Sequence, residues 1–198
     1  VEYGGVASMK YPFFTLSSDK QKFSFSRNYF TTTLSMVKVT DEDGITTKKY
    51  YDLYGHLAME EQGDGNITFY LYDRYGNLIY VLPPAAYNNC LTKGKIYNIE
   101  TDENLQKYAY FYRYDGKNRC VEKKLPGCEP TMMIYDKENR MIFKQDGNQR
   151  AYKEWLFVLY DSYGRPTVRG VCKDADKINI SNIQVASSFS SKGKYDMY

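Results

Sequence analysis

The sequence predicts a mainly all-β protein: an antiparallel meander of β-hairpin repeats that forms a curved or spiralling sheet, with one or two short helices. The first observation is a tyrosine–aspartate motif that begins at residues 51, 72, 114, 135 and 160, at intervals of 21, 42, 21 and 25 residues. A period near 20 residues is typical of repeat architectures. The second observation is a further set of turn signals between the motifs, which gives two strands and two turns per unit.

The motif predicts a chain reversal. In its second copy, residues 67–72 are β-branched and aromatic, which indicates a strand. Asp73 then begins a turn, because its carboxylate accepts backbone N–H groups two residues on. Gly76 stands where a type I turn closes with a left-handed residue. Residues 77–82 form the return strand, which Pro83-Pro84 ends.

The differences between the copies support a turn. The position of Gly76 holds Gly or Asn in every copy, and Asn is the non-glycine residue that best tolerates left-handed backbone. A catalytic motif would not exchange these two residues freely, whereas a turn does. The predicted structural turn residues are Tyr51, Asp52, Gly55, Tyr72, Asp73, Gly76, Tyr114, Asp115, Asn118, Arg119, Tyr135, Asp136, Asn139, Arg140, Tyr160, Asp161, Gly164 and Arg165.

Three regions follow from these signals. Residues 1–44 form N-terminal aromatic strands, 45–170 form the repeat sheet, and 171–198 form a strand, a short helix and a tail, with Tyr195-Asp196 opening an incomplete sixth motif. The second set of turns lies at 41–44, 63–66, 125–127 and 146–148.

The stretch 83–107 is a long excursion from the repeat sheet. It is expected to be a loop with a short helix near residues 103–107, capped by Asp102. Long loops in compact arrays are often functional. The excursion is therefore either the first candidate surface for a partner or a plain insertion.

Composition excludes several function classes. The net charge is +3, from 27 basic and 24 acidic residues that are interspersed, so no nucleic-acid partner is expected. No apolar run is long enough to span a membrane. The cysteines Cys90, Cys120, Cys128 and Cys172 lack CxxC spacing, which argues against zinc, and their disulfide state stays open. The sequence shows no signal-peptide pattern and does not begin with Met, so a mature or excised fragment is expected.

No catalytic, metal or cofactor site is predicted. His56 is the only histidine, so no Ser-His-Asp or Cys-His arrangement can be built elsewhere. The motif aspartates recur along one rim of the sheet about 10 Å apart, which suits neither a carboxylate pair nor a calcium cage. The segment 63–66 superficially resembles a calcium loop but lacks the remaining ligands.

The repeated Tyr-Asp-x-x-Gly-Arg pattern resembles the RHS/YD-repeat family, bacterial branch. The similarity covers about residues 45–170 and includes the stretches 112–127 and 146–166. It implies a large secreted or cell-surface protein whose hairpins wind into a spiralling sheet that can close into a toxin-enclosing shell. The chain has no Asp-Pro pair, so the self-cleaving core motif of many relatives is missing.

Two hypotheses of function follow. The first is a structural wall or shell module, without catalysis, whose main partner is the remainder of its own repeat array. The second is a binding module for carbohydrate or protein that uses exposed Tyr54, Tyr75 and Tyr163. Unpaired sheet edges also make a homodimer an expectation.

Overall fold

A computed structural model describes residues 2–63, 65–90, 95–173 and 195–197. The described residues form fourteen strands and three short helices, and every strand pairing with a defined register is antiparallel. The predicted mainly antiparallel β class is therefore confirmed. The chain divides into two compact units: residues 1–113 with 125–128, and residues 114–124 with 129–198.

The first unit is a sheet of consecutive hairpins. Its strands are β1 (Glu2–Leu16), β2 (Lys22–Thr40), β3 (Thr46–Tyr51), β4 (Leu57–Gln62), β5 (Asn66–Tyr72), β6 (Leu78–Leu82), β7 (Ile96–Asn98) and β8 (Tyr110–Tyr114). They lie in the order β1-β2-β3-β4-β5-β6-β8, and β7 pairs separately with β2. From β1 to β6, chain order and spatial order agree because each pair is joined by a short turn. Strands β6 and β8 are neighbours as well, but the excursion lies between them in the chain.

The core of the first unit lies where the excursion returns to the sheet. Helix α1 (Pro84–Cys90), strand β7 and helix α2 (Glu103–Tyr108) supply the side chains that cover it. Phe23 stacks on Tyr97 with ring centroids 5.2 Å apart and meets Tyr80 edge-on at 4.9 Å. Leu105 of α2 is fully buried. The excursion thus completes the hydrophobic core, because the sheet alone would leave these rings in water.

The second unit is a plainer meander. Its strands are β9 (Cys120–Lys124), β10 (Thr131–Tyr135), β11 (Met141–Gln145), β12 (Glu154–Tyr160), β13 (Pro166–Lys173) and β14 (Tyr195–Met197), which neighbour one another in that order. Helix α3 (Gly147–Ala151) connects β11 to β12. Trp155 and Gln145 are buried, whereas every residue of β10 is only half-buried.

Two local predictions were wrong. The stretch 83–107 is not a loop with one helix, because it also contains α1 and β7. Pro83 ends β6 as expected, but Pro84 occupies the first position of α1, where a missing N–H costs nothing. The turn predicted at 146–148 is the start of helix α3. Helix α2, capped by Asp102, forms as predicted.

Part of the C-terminal prediction lies outside the described residues: the strand and helix expected between residues 178 and 189 cannot be compared with the structure. The described residues 195–197 form strand β14, in which Tyr195 is opposite Gly170. Among the residues that the structure describes, no helix is both long and apolar enough to cross a membrane.

Candidate functional site

The five tyrosine–aspartate motifs share one backbone geometry. In each motif the aspartate N–H donates to the carbonyl four residues on, at 2.9 to 3.0 Å, and the N–H three residues on donates back to the aspartate carbonyl, at 3.0 to 3.3 Å. The residue at this third position has φ between 58° and 83° in every copy. These residues are Gly55, Gly76, Asn118, Asn139 and Gly164. The Gly/Asn exchange therefore follows from left-handed backbone.

The aspartate carboxylate accepts hydrogen bonds from the backbone of its own turn. In the second motif, Asp73 Oδ1 accepts the backbone N–H groups of Tyr75 at 2.9 Å and of Asn77 at 3.0 Å. The same pair of contacts recurs at Asp52, Asp115 and Asp161. One oxygen thus satisfies two donors that the turn would otherwise leave to water.

The second carboxylate oxygen binds the side chain that follows the Gly/Asn position. Arg119, Arg140 and Arg165 each donate Nε to Oδ2 of their own motif aspartate at 2.7 Å. His56 Nδ1 and Asn77 Nδ2 occupy the equivalent place at 3.1 Å. The arginines were predicted as motif residues, but this role was not predicted from the sequence. The signal was available, because only side chains that can donate a hydrogen bond stand at this position.

The arginine also contacts the next motif, in an arrangement that we call the clamp. The Arg119 guanidinium lies 5.0 Å from the centre of the Tyr135 ring, and its Nη1 donates to the Asp136 carbonyl at 2.9 Å. The Tyr135 hydroxyl donates back to the Cys120 carbonyl at 2.9 Å. A cation–π contact and two hydrogen bonds therefore join one motif to the following one.

The clamp recurs one motif further along the second unit. Arg140 lies 5.0 Å from the centre of the Tyr160 ring and donates Nη1 to the Asp161 carbonyl at 3.3 Å, while the Tyr160 hydroxyl donates to the Met141 carbonyl at 2.9 Å. Arg165 is different, since its side chain is 74% exposed and contacts only its own turn among the described residues. The motif tyrosine thus provides the aromatic ring that the arginine of the preceding motif contacts.

In the first unit, His56 takes the place of the clamp arginine. Its ring stacks on Tyr72 with centroids 4.7 Å apart. Gly76, in the next turn, lies so close that a Cβ added there would be 2.9 Å from His56 Nε2. His56 therefore packs between two motifs, and its position favours a structural role.

The second motif receives its cation from a distant part of the chain. Asn77 carries no charge, and the ammonium group of Lys20, in the β1–β2 loop, binds Asp73 Oδ2 instead. The Asp73 side chain is only 3% exposed. Lys20 has φ of 62°, an uncommon value for a residue with a side chain. The loop is thus fixed to the motif by the charge that arginine supplies elsewhere.

Four of the motif aspartates have lowered pKa values. Partial burial alone would raise the pKa values of Asp73, Asp115 and Asp136, but hydrogen bonds outweigh burial and lower these pKa values. The donors are Lys20 and Asn77 for Asp73, Arg119 for Asp115, and Arg140 for Asp136. The pKa of Asp161 is lowered chiefly by the backbone hydrogen bond from Arg165. Carboxylates committed in this way are poor general acids or bases near neutral pH.

The three candidate binding tyrosines are exposed. Tyr54 is 87%, Tyr75 is 58% and Tyr163 is 84% exposed. The Arg74 guanidinium carbon lies 4.8 Å from the centre of the Tyr75 ring. Tyr54 and Tyr75 belong to the first unit and Tyr163 to the second. Each ring stands at the tip of its own turn.

Other reactive groups form no cluster. Within the described ranges, no group of three or more His, Cys, Asp or Glu side chains could hold a metal ion. Burial raises the pKa of the Cys120 and Cys172 thiols, which are free. Cys128 is exposed, and the side chain of Cys90 lies outside the described part of the chain.

Comparison with known proteins finds a likeness only among solved structures. No protein-family model and no curated protein matches. The crystal structure of TcdB2-TccC3 without its hypervariable C-terminal region matches with a TM-score of 0.50 and 16% identity, over 84% of this chain and 9% of that one.

Two further structures resemble the chain less well. The TcdB2-TccC3 crystal structure has a TM-score of 0.46 and 12% identity, over 89% of this chain and 12% of that one. The Tc holotoxin pore of Photorhabdus luminescens has a TM-score of 0.46 and 14% identity, over 89% and 8%. The chain spans about a tenth of the proteins that it resembles, and at these identities the likeness is one of fold.

Proposed function

We propose that this chain is a structural β-repeat module of a larger secreted or cell-surface protein of the RHS/YD-repeat type. Its role is to form part of a wall or shell, without catalysis in this segment. The observation that carries the proposal is the clamp, in which Arg119 and Arg140 each join their own turn to the next motif. Its main partner is the remainder of the repeat array.

The chemistry of the motif supports this role. The recurring tyrosines, aspartates and arginines bind one another and the turn backbone, so their polar atoms hold the sheet together instead of facing a substrate. Such nearest-neighbour contacts are what make repeat arrays stable. The fold likeness to a small part of the much longer TcdB2-TccC3 chain is a second support.

The matched arginines provide the test. Replacing Arg119 and Arg140 with Ala removes contacts to the following motif, whereas Arg165→Ala removes only contacts within its own turn. We expect the double variant to lower the thermal midpoint by about 5 °C beyond twice the loss in Arg165→Ala, because hydrogen bonds and cation–π contacts to the following motif are lost only in the double variant. The measurement is circular dichroism melting with limited proteolysis.

Equal midpoints would contradict the proposal, because the motif would then contribute nothing between repeats. Far-ultraviolet spectra at 20 °C serve as the control that both variants keep their strands. A variant that loses the clamps but gains no protease sensitivity in residues 114–173 would also count against a wall role.

A second candidate function is a binding surface for carbohydrate or protein. It is favoured by the exposure of Tyr54, Tyr75 and Tyr163 at turn tips, where large rings are accessible. Screening the chain against a glycan array tests it, with the triple variant in which these tyrosines are Ala as the control. Signals that persist in the triple variant, or an array without hits, would remove this candidate for carbohydrate.

A further inference from the structure

The side chain that joins one motif to the next differs in its chemistry between the two units. In the second unit, Arg140 occupies this position, and a guanidinium keeps its charge at any physiological pH. In the first unit, His56 occupies it, and this is the only histidine of the chain. Imidazole is the side chain that normally changes its charge between about pH 5 and 8. The contact of His56 with the second motif, which we call the first junction, therefore contains a charge that depends on pH.

Both groups that contact the His56 ring bind a cation better than a neutral ring. Nδ1 lies 3.1 Å from Asp52 Oδ2. The ring stacks on Tyr72 with centroids 4.7 Å apart and an angle of 20° between the ring planes. A carboxylate attracts an imidazolium, and the π face of a tyrosine attracts a cation. Protonation of His56 thus strengthens both contacts, and the contact with Tyr72 is the one that joins the two motifs.

No fixed cation offsets the carboxylate at the first junction. Among the described residues, the other hydrogen bonds to Asp52 come from backbone N–H groups of its own turn. Burial, followed by the charge of Asp52, raises the pKa of the Tyr72 hydroxyl. Burial also raises the pKa of Tyr135, but there the charge of Arg119 acts to lower it. The charge of Asp52 therefore acts on Tyr72 without the opposing guanidinium that is present in the second unit.

The other charged and titratable groups near the ring leave Asp52 as its ionic partner. The elements that pack on His56 also carry Tyr54 in its own turn, Tyr70 on β5, and Asp73, Arg74 and Tyr75 on the β5–β6 turn. Asp73 is bound by Lys20, and the Arg74 guanidinium lies against the Tyr75 ring. Asp52 is thus the charged group that His56 itself contacts.

We propose that His56 makes the first junction a proton-dependent clamp, which tightens when its imidazole ring is protonated. The protonated ring then acts on its own aspartate and on the next tyrosine as Arg140 does in the second unit. The added stability is largest below about pH 6.5, where imidazole is normally protonated, and it is lost as pH rises toward 8. This regulation rests on the proposed structural role, because it acts on contacts that join consecutive motifs.

The test is amide hydrogen exchange of the full chain, compared between the wild type and His56→Gln. Glutamine can still donate a hydrogen bond to Asp52 but carries no charge. Comparison of the same amide at the same pH cancels the pH dependence of the exchange chemistry. We expect amides of β4 and β5 to exchange faster in His56→Gln, and this ratio to grow about threefold from pH 8 to pH 5.5. A change of this size moves a global thermal midpoint by only about 2 °C, so a local measurement is needed.

Two variants separate protonation from the loss of the ring. Arg140→Gln is the matched control in the second unit, and its exchange ratio at β11 and β12 should not change with pH, because guanidinium keeps its charge. His56→Arg should keep the exchange of β4 and β5 slow at pH 8 as well as at pH 5.5. A ratio for His56→Gln that stays constant with pH, or one that Arg140→Gln reproduces, would overturn the proposal.

A measurement on the wild type alone removes any dependence on how the variants fold. The ring resonances of Tyr72 should shift with pH together with those of His56, since the two rings are stacked. Tyr72 resonances that do not follow the His56 titration would also overturn the proposal. Either failure leaves the structural proposal standing, because that proposal is tested at Arg119 and Arg140 at a single pH.

Discussion

At the scale of single residues, Gly55 and Gly76 occupy the same position in successive turns but have different surroundings. Both have positive φ, 83° and 80°. A Cβ at position 55 would meet open space, whereas one at position 76 would lie 2.9 Å from His56 Nε2. We expect Gly55→Ala to cost about 1 kcal/mol from backbone strain alone, and Gly76→Ala to cost more. Urea denaturation of both variants measures the difference.

The extra cost at position 76 depends on His56. Adding His56→Ala to Gly76→Ala should recover that extra part, because the obstructing ring is gone, and a double-mutant cycle reports the coupling. Equal costs for Gly55→Ala and Gly76→Ala would mean that the turns do not pack on each other as described.

Lys20 acts as the missing arginine of the second motif. Lys20→Ala leaves the nearly buried Asp73 carboxylate with one partner fewer, which costs about 1–3 kcal/mol. Asn77→Arg should restore most of that stability, because an arginine there can bind Asp73 as Arg119 binds Asp115. Chemical denaturation of the single and double variants checks the rescue.

The matched control is Lys95→Ala, which breaks the ion pair to Asp102 at a site where the lysine is 52% exposed. Exposed pairs contribute little, so its effect should be smaller. If Asn77→Arg fails to rescue Lys20→Ala, the view that the two cations are interchangeable is wrong.

The residue scale also shows what the sequence could predict. Positive φ leaves a local mark, the exchange of Gly for Asn, so residues 118 and 139 were assigned to turns from the sequence alone. The partner of Asp73 leaves no such mark, because Lys20 is 53 positions away. The clamp could not be predicted from the sequence either. Its arginine and tyrosine belong to different motifs, and only the sheet register brings them together.

At the scale of elements, helix α3 shows a signal that was present and misread. Asp146 accepts the N–H of Gln149 at 2.9 Å, and the Gln149 side chain accepts the N–H of Asp146 at 2.9 Å, which is a capping box. The sequence Asp-Gly-Asn also fits a turn. A turn was predicted because the segment lies about ten residues from a motif turn, as the other turns of the second set do.

The cap of α3 can be tested directly. Asp146→Ala should cost about 1 kcal/mol, whereas Asp146→Asn should be close to neutral, because asparagine is an equally good N-cap. Guanidinium denaturation compares the two variants with the wild type. A loss as large for Asn as for Ala would indicate that the charge of Asp146, and not its capping geometry, matters.

At the scale of the whole molecule, four of the motif aspartates couple stability to pH. The folded pKa values of Asp73, Asp115, Asp136 and Asp161 are lowered. The unfolded chain therefore binds more protons in acid. Their contribution is fully present above the unfolded value of about 3.9 and is lost as pH falls through the folded values.

We expect denaturation midpoints that are level from pH 7 to about 5 and fall steeply below about 4. Asp136→Asn should flatten the fall, whereas Asp43→Asn, at an exposed position outside the motif, should not. Midpoints that stay level down to pH 2.5 would mean that the carboxylates are not held by their hydrogen bonds.

The two units differ in how their sheets are covered. In the first unit, the excursion contributes fully buried side chains from each of its elements: Ala86 of α1, Tyr97 of β7 and Leu105 of α2. In the second unit, Trp155 is the only hydrophobic side chain that is buried among the described residues. The sequence did not predict this contrast, because strand patterns report which faces are apolar and not whether another element covers them.

This contrast predicts unequal local stability. Strands β5, β10 and β11 are each paired on both sides, so edge fraying does not distinguish them. Burial does, since opening a covered strand exposes more apolar surface. We expect amides of β5 and β6 to exchange with deuterium more slowly, by about tenfold or more, than those of β10 and β11. Equal protection would require a cover over the second sheet that its described residues do not supply.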